Sequence, residues 1–463
     1  MEFDTLLLSR LQFALNISVH ILFPSITIAL CWVLLAFKLL GNISGDETWV
    51  RAYRFWVKVF ALTFALGVVT GITMSFQFGT NWPGYMERVG NVAGPLLGYE
   101  VMTAFFLEAT FLGIMLFGAK RVSNRTHTMA TLLVAIGTSL SAFWIISLNS
   151  WMQTPQGFEL IDGVVYPVDW LAIIFNPSMP YRLSHVMIAS GLTCAFFIAG
   201  VSAYRLLKGD DKPGPKYTLR FALLMAALLA PLQAFVGDLH GLNTLEHQPA
   251  KIAAMEGVWH TEKGAPLLLF AIPDETQQKN HFEVAIPKLA SLILTHELEG
   301  EIRGISSFGD ERPRVAPVFF AFRIMVGLGM LMMMAGIGLS WLLWRKKRLA
   351  SWQLRGLVAM TFSGWLATLA GWYVTEIGRQ PFLVSGILRT EEAVTSQPPE
   401  NVGLSLMVYA LVYGFLLTAY IKTVFSMARK AAKLERQELL PLGDAAVEES
   451  SAITTDSQQE FSS

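Results

Sequence analysis

The sequence predicts an all-α fold: a polytopic membrane bundle of nine transmembrane helices, N-terminus outside and C-terminus in the cytoplasm. Three observations carry that reading. Of 463 residues, 53% are hydrophobic and only 15% charged, whereas ordinary soluble chains carry about a quarter charged residues. Mean hydropathy is +0.47, and the apolar residues gather in blocks long enough to supply the roughly 20 needed to cross a bilayer. Lys and Arg also concentrate in alternate connections, as they do in cytoplasmic loops.

The blocks follow in order. The first, 11–40, is led by Glu2 and Asp4 and is too long for a cleaved signal, so it reads as a retained span. Arg51 and Arg54 separate it from 54–79, and Lys120, Arg121 and Arg125 join 95–119 to 128–150. Lys208, Lys212 and Lys216 link 182–205 to 217–238, and "RKKR" (345–348) links 315–344 to 356–378. The ninth block, 403–427, is followed by Arg429, Lys430, Lys433 and Arg436. An odd number of spans agrees with termini on opposite sides.

The expected organisation is helices one to six over 1–238, an outer segment over 239–314, helices seven to nine over 315–428, and a cytoplasmic tail over 429–463. The tail is polar and mildly acidic and is expected to be disordered. The outer segment is too long for an ordinary connection. It should fold as a small cap containing a Pro-started helix in "HQPAKIAAMEGVWH" (247–260). Cys31 and Cys194 fall inside apolar blocks, so no disulfide framework is expected. The sequence shows no internal repeat, Walker loop or dinucleotide fingerprint, and no nucleic-acid partner is expected.

The polar residues inside the blocks carry the chemistry. An ionisable side chain at membrane depth is costly and points to function. In "GWYVTEIGRQPF" (371–382), Trp372, Glu376 and Arg379 lie at i, i+4 and i+7, one stripe of a helix. A Glu–Arg pair snorkelling to the interface is the plainer account of that stretch. Given the topology, His20, Glu100, His185, Met325 and Glu376 come from five helices to the same outer leaflet. Glu108 lies about 12 Å deeper than Glu100 along helix three.

Taken singly, a membrane histidine can bond a backbone carbonyl, and a methionine can fill a gap. Together, imidazole and thioether suit the axial positions of a low-spin electron-transfer haem, as His185 and Met325 could provide. His20 and Glu376 could each hold a haem with an open position for a diatomic molecule. Arg10, Arg182, Arg323 and Arg379 are candidate partners for propionates. Gly67, Gly71, Gly327 and Gly329 could admit flat macrocycles or simply pack helices closely. Glu108 is expected to rest as a neutral acid, relaying protons with Ser141 or bonding a neighbouring helix.

These residues sit in stretches that resemble subunit I of the cytochrome bd quinol oxidases. The stretches are "LSRLQFAL" with His20, "GVVTGITMSFQFGTNW" (67–82), "EVMTAFFLEATF" (100–111), "NSWMQTPQGFE" (149–159), "PRVAPVFFAFRIMVGLG" (313–329) and "GWYVTEIGRQPF". They run in order from the first helix to the eighth.

The resemblance implies a quinol:oxygen oxidoreductase of the bacterial inner membrane, with a low-spin haem b, a high-spin haem b, and a haem d or a further b-type haem in its place. It makes His185 and Met325 the axial pair of the low-spin haem. His20 and Glu376 become ligands of the other two haems, not assigned separately because family members differ. Glu100 is then a further ligand or proton donor, Trp372 lies between haems, and Arg323 and Arg379 anchor propionates. Gln248, Lys251 and Glu256 would form the quinol site in the outer loop, away from the membrane ligands, with Glu256 accepting a proton. Quinol protons leave outside while those consumed come from the cytoplasm, so charge separates without a pump.

Implied partners are subunit II, membrane quinol and oxygen, with a small single-helix subunit as an option. The short 239–314 segment is similar to the short-loop type that includes cyanide-insensitive oxidases. Phe382 departs from the tryptophan many members carry there.

A proton-coupled transporter would explain the buried carboxylates but not Met325, and the two related halves common in such folds are not apparent. A non-catalytic assembly subunit gives no reason for so many intramembrane ionisable residues.

Overall fold

The structure, a computed structural model, describes residues 4–437. Its helices in order are α1 (Thr5–Leu22), α2 (Pro24–Ser44), α3 (Glu47–Thr80), α4 (Pro83–Tyr99) and α5 (Phe106–Phe117). They continue with α6 (Asn124–Gln153), α7 (Trp170–Ile174), α8 (Met179–Leu207), α9 (Pro213–His247), α10 (Pro249–Glu256) and α11 (Leu289–Thr295). The last four are α12 (Val315–Lys346), α13 (Ser351–Ala359), α14 (Ser363–Ile377) and α15 (Pro399–Gln437). Among the described residues, nine helices or joined helix runs are long and apolar enough to span a membrane, as expected.

Local chemistry sets the ends and breaks. Asp46 and Ser123 cap α3 and α6 by accepting backbone N–H groups of Thr48 and Thr126. Pro24, Pro83, Pro213 and Pro249 open their helices, where the missing N–H costs nothing. The first span is two helices, divided at Phe23–Pro24. The third contains a π-helical turn, Glu100–Phe105, between α4 and α5; such turns often mark functional sites. Gly257 stops α10 with φ of 70°, a left-handed conformation that suits glycine.

At the centre lies α8, whose stretch Ser190–Ala203 is buried on all sides. It packs on α2, α6, α9, α13, α14 and α15. In contrast α15 buries little of its apolar surface, leaving a face for lipid or another subunit.

The segment between α9 and α12 does fold as a cap. Its Ile252, Trp259 and Ile305 share a core with Phe319 of α12. The sixth helix runs on to His247, beyond the expected end at 238. In chain order the strands are β1 (Phe158–Ile161), β2 (Val164–Pro167), β3 (Glu262–Lys263), β4 (Leu267–Asp274), β5 (Lys279–Ile286), β6 (Glu301–Ile302), β7 (Phe382–Val384) and β8 (Leu388–Arg389). They form four antiparallel pairs: β1–β2, β3–β6, β4–β5 and β7–β8. The first and last pairs cover the same end of the bundle as the cap, over Trp82, Trp151 and Val384.

The ninth helix keeps its form past 429, because "ARKAAKLERQ" consists almost wholly of strong helix formers. The expected disordered tail therefore does not begin at 429. Its remainder, 438–463, lies outside the described residues.

Candidate functional site

Polar side chains from four helices and two adjoining connections meet at the cap end. Glu376, in the last turn of α14, accepts from Asn149 Nδ2 on α6 at 2.9 Å and pairs through its other oxygen with Arg379. Asn149 and Gln153 are i, i+4 on α6. Gln153 Oε1 accepts from Lys251 Nζ at 2.7 Å and from Gln248 Nε2 at 2.9 Å. Lys251 also donates to Gln248 Oε1 at 2.7 Å, and Arg182 Nη2 reaches the same oxygen at 3.5 Å. Lys251 lies over Gly378, where an added Cβ would come within 2.7 Å of its side chain.

Two guanidiniums and the Lys251 amine thus gather near one carboxylate, with Arg182, Lys251 and Arg379 each no more than 5% exposed. Burial, with Arg182 and Arg379 nearby, holds the Lys251 amine well below the usual lysine range.

Lys251 was expected away from the membrane ligands; the fold turns it into their cluster instead. The cause is the orientation of α10. That helix starts directly after α9 and sends Lys251 toward α6 and α14, and Glu256 toward α12. Glu256 bonds Arg323 Nη2 at 2.9 Å, with side chains 7% and 15% exposed. Arg323 also donates to the Met255 carbonyl at 3.2 Å and the Leu268 carbonyl. These three bonds tie α12 to the cap. Glu256 lines a cavity of about 250 Å³ between α10 and the β4–β5 hairpin.

The five expected metal donors do not share one setting: Glu376 lies in the cluster above and Glu100 meets Ser141. His185 on α8 packs on Gly237, and its ring centroid lies 5.5 Å from that of buried His240. Met325 on α12 presses its sulfur onto Gly371 of α14. Helices α8, α9, α12 and α14 pack together, so His185 and Met325 occupy one four-helix group. His20 packs on Gly71 of α3, where an added Cβ would sit 3.0 Å from Cε1, and its Nδ1 meets the Thr70 hydroxyl at 3.0 Å. Such an outer hydrogen bond fixes a ligand's ring and leaves Nε2 available. Gly327 and Gly329 face open space, so close packing does not explain them.

Glu100 and Glu108 also differ from expectation. Ser141 donates to Glu100 at 2.7 Å, not to Glu108. Glu108 packs on Gly137, and its Oε1 has no hydrogen-bond partner among the described residues. The π-helical turn between the two carboxylates alters their relative phase. Gly137, Ser141, Asn149 and Gln153 then follow the i, i+4 ridge of α6, meeting Glu108, Glu100, Glu376 and Lys251 in turn. Apolar Ile145 interrupts the ridge, whose sixteen residues span about 24 Å.

Arg10 is exposed near the start of α1, and no ion pair of it occurs among the described residues. Sequence reasoning missed Thr70, Asn149, Gln153 and His240. Asn149 and Gln153 lay within a recognised stretch, at helical spacing.

The donor set fits an anionic macrocycle. Arg379 Nε and Nη1, Arg182 Nε and Trp372 Nε1 are buried without partners among the described residues, and propionates are natural acceptors for such groups. Single imidazole, thioether and carboxylate donors likewise suit a metal whose other ligands belong to a porphyrin. The fold and donor set define a membrane redox protein.

Residues 8–432 match the family model of cytochrome bd terminal oxidase subunit I. The chain is 34% identical to cytochrome bd ubiquinol oxidase subunit 1 of Bacillus subtilis, over 94% of this chain and 96% of that protein. It is 32% identical to cytochrome bd-II ubiquinol oxidase subunit 1 of Escherichia coli, over 92% and 96%. The solved bd oxidase of Geobacillus thermodenitrificans matches with a TM-score of 0.85 at 32% identity, over 92% of this chain and 99% of that one. The chain belongs to the cytochrome bd terminal oxidase subunit I family, whose members are membrane oxidoreductases.

Proposed function

We propose that this chain is the haem-bearing subunit of a terminal oxidase that oxidises membrane quinol and reduces oxygen to water. The observation that carries the reading is the buried cluster of Arg182, Lys251 and Arg379 around Glu376, with guanidinium donors left over for propionates. Bound haem supplies one-electron transfer and the place where oxygen is reduced: a low-spin haem b, a high-spin haem b, and a haem d or further haem b.

His185 and Met325 would hold the first, and His20 and Glu376 would hold the other two. Trp372 stands beside Glu376 on the same helix stripe. Propionates fall to Arg379 and Arg182, and Arg323 instead pairs with Glu256 at 2.9 Å. Glu256, at the cavity beside the cap, accepts the quinol's proton, and Gln248 and Lys251 link that site to the cluster. Glu108, then Glu100 with Ser141, carry protons along the α6 ridge.

The cap is outside and the basic loops are cytoplasmic, in a bacterial inner membrane. Protons are therefore released on one side and taken up on the other, building proton motive force without pumping. Subunit II covers part of the exposed bundle, and a small single-helix subunit is a further partner.

The test is oxygen uptake by the purified, haem-loaded complex with quinol as sole reductant. Rapid quinol-dependent uptake is expected. A loaded complex that consumes no oxygen refutes the proposal.

A further inference from the structure

The β4–β5 hairpin of the cap presents an apolar outer face that none of the described residues covers. Leu268 and Ala271 turn inward and are buried, while Leu269, Phe270, Ile272, Phe282, Val284 and Ile286 are exposed. The pairing is interrupted twice. Leu269 is an extra residue between the Leu268–Ala285 and Phe270–Val284 pairs, and Phe282 and Glu283 together face Ala271. Bulges re-aim side chains. Both of these extrude an apolar one: Leu269 is 52% and Phe282 78% exposed. Phe282 does so at a φ of 54°, a conformation a bulky residue rarely adopts.

The depth of this face follows from α12. At 32 residues the helix is about 48 Å long, against a hydrocarbon core of about 30 Å. Its far end carries Trp341 and Trp344, 52% and 73% exposed, followed directly by Arg345 and Lys346. That is the aromatic and basic belt of a membrane boundary. Counting back the roughly 20 residues that cross the core reaches about 321–324, so Phe320 to Ile324 mark the opposite boundary. Strand β4 meets α12 at that level. Phe270 contacts Phe320 with ring centroids 6.5 Å apart, and Arg323 Nε donates to the Leu268 carbonyl. Phe320 and Ile324 are themselves 37% and 52% exposed on the helix surface.

The geometry points to the lipid bilayer as the occupant of this face: the hairpin lies in the boundary between headgroups and acyl chains and anchors the cap there. Its apolar surface continues the outward-facing surface of α12, and its polar turn, "DETQQK" (274–279), rises clear of it. The inner side of the hairpin lines the cavity beside Glu256, so the anchor forms a wall between that cavity and the bilayer.

Cys31 and Cys194 are both fully buried, so a cysteine introduced on the surface can be labelled selectively. The experiment uses the haem-loaded complex in nanodiscs, with an environment-sensitive fluorophore at Phe282→Cys, at Gln277→Cys in the turn, or at Ile324→Cys on α12. Leu269→Cys serves as a second hairpin site if Phe282→Cys does not assemble. Quenchers are lipids brominated near the glycerol end of their chains, and iodide in the water.

The hairpin probe should be quenched by the brominated lipid, as at position 324. Its iodide quenching should fall about fivefold or more below that at 277, because a charge entering the interface is penalised. Iodide quenching equal to that at 277 would overturn the inference, since the hairpin would stand in water. Shielding from both quenchers would also overturn it, assigning the face to a protein partner.

Discussion

Replacing Glu256 by glutamine keeps an acceptor for Arg323 and removes the group proposed to take the quinol's proton. The side chains lie 2.9 Å apart and are 7% and 15% exposed, so the pair is largely desolvated. A hydrogen bond to a charged group contributes about 1.5–3 kcal/mol, and the amide oxygen retains part of that. Arg323 also keeps its bonds to the Met255 and Leu268 carbonyls. Glu256→Gln should therefore assemble, at a cost of about 1–2 kcal/mol. Glu256→Ala leaves the guanidinium without its counter-charge and should cost about 3 kcal/mol, the low end for breaking a buried pair.

The kinetic effect is larger, because a positioned general base contributes about 10²- to 10⁴-fold. Stopped-flow reduction of the haems by quinol should slow at least about a hundredfold in Glu256→Gln. Dithionite, which needs no proton acceptor at that site, should reduce the same haems with unchanged amplitude. A Glu256→Gln rate within a few-fold of the parent would refute the role given to this carboxylate.

His185→Ala should remove the low-spin haem and leave a fraction of the high-spin signal; Met325→Leu should be milder, converting that haem toward high spin, because a thioether is the weaker ligand. An unchanged low-spin spectrum in His185→Ala would break the pairing. Glu108→Gln preserves shape but cannot exchange a proton, so haem per protein should stay near normal while oxygen turnover falls about tenfold or more. Lost haem with normal turnover in the surviving protein would make Glu108 structural. Lys251→Ala withdraws the amine from Gln153 and Gln248 beside Glu376. It should slow quinol oxidation and also shift a high-spin haem band; slowing with every band intact would place Lys251 in the quinol site alone.

Hydropathy made the nine spans legible, since each apolar block exceeds the length a bilayer demands. The paired covers at the cap end were also within reach: Asp162–Gly163 is a two-residue turn signal between β1 and β2, with φ of 51° and 77°. Side-chain pairing was harder to read. Ser141 meets Glu100, not Glu108, because a π-helical turn shifts the phase of helix three, and no sequence period announces such a turn. Glu256 and Arg323 are 67 positions apart and meet only once the cap has folded onto α12. The place of Lys251 beside Glu376 was not legible because its burial depends on where α10 docks. His240 gave one faint signal, a histidine near the end of an apolar block. Its contact with His185 follows from the packing of α9 on α8.

The central claim is that this chain binds haem and passes quinol's electrons to oxygen. The most direct measurement is the reduced-minus-oxidised absorption spectrum of the purified complex, with quinol as the only reductant under anaerobic conditions, followed by a pulse of oxygen. Haem bands should appear on adding quinol and collapse on adding oxygen. A colourless preparation, or haem bands that quinol cannot raise and oxygen cannot discharge, would contradict the account.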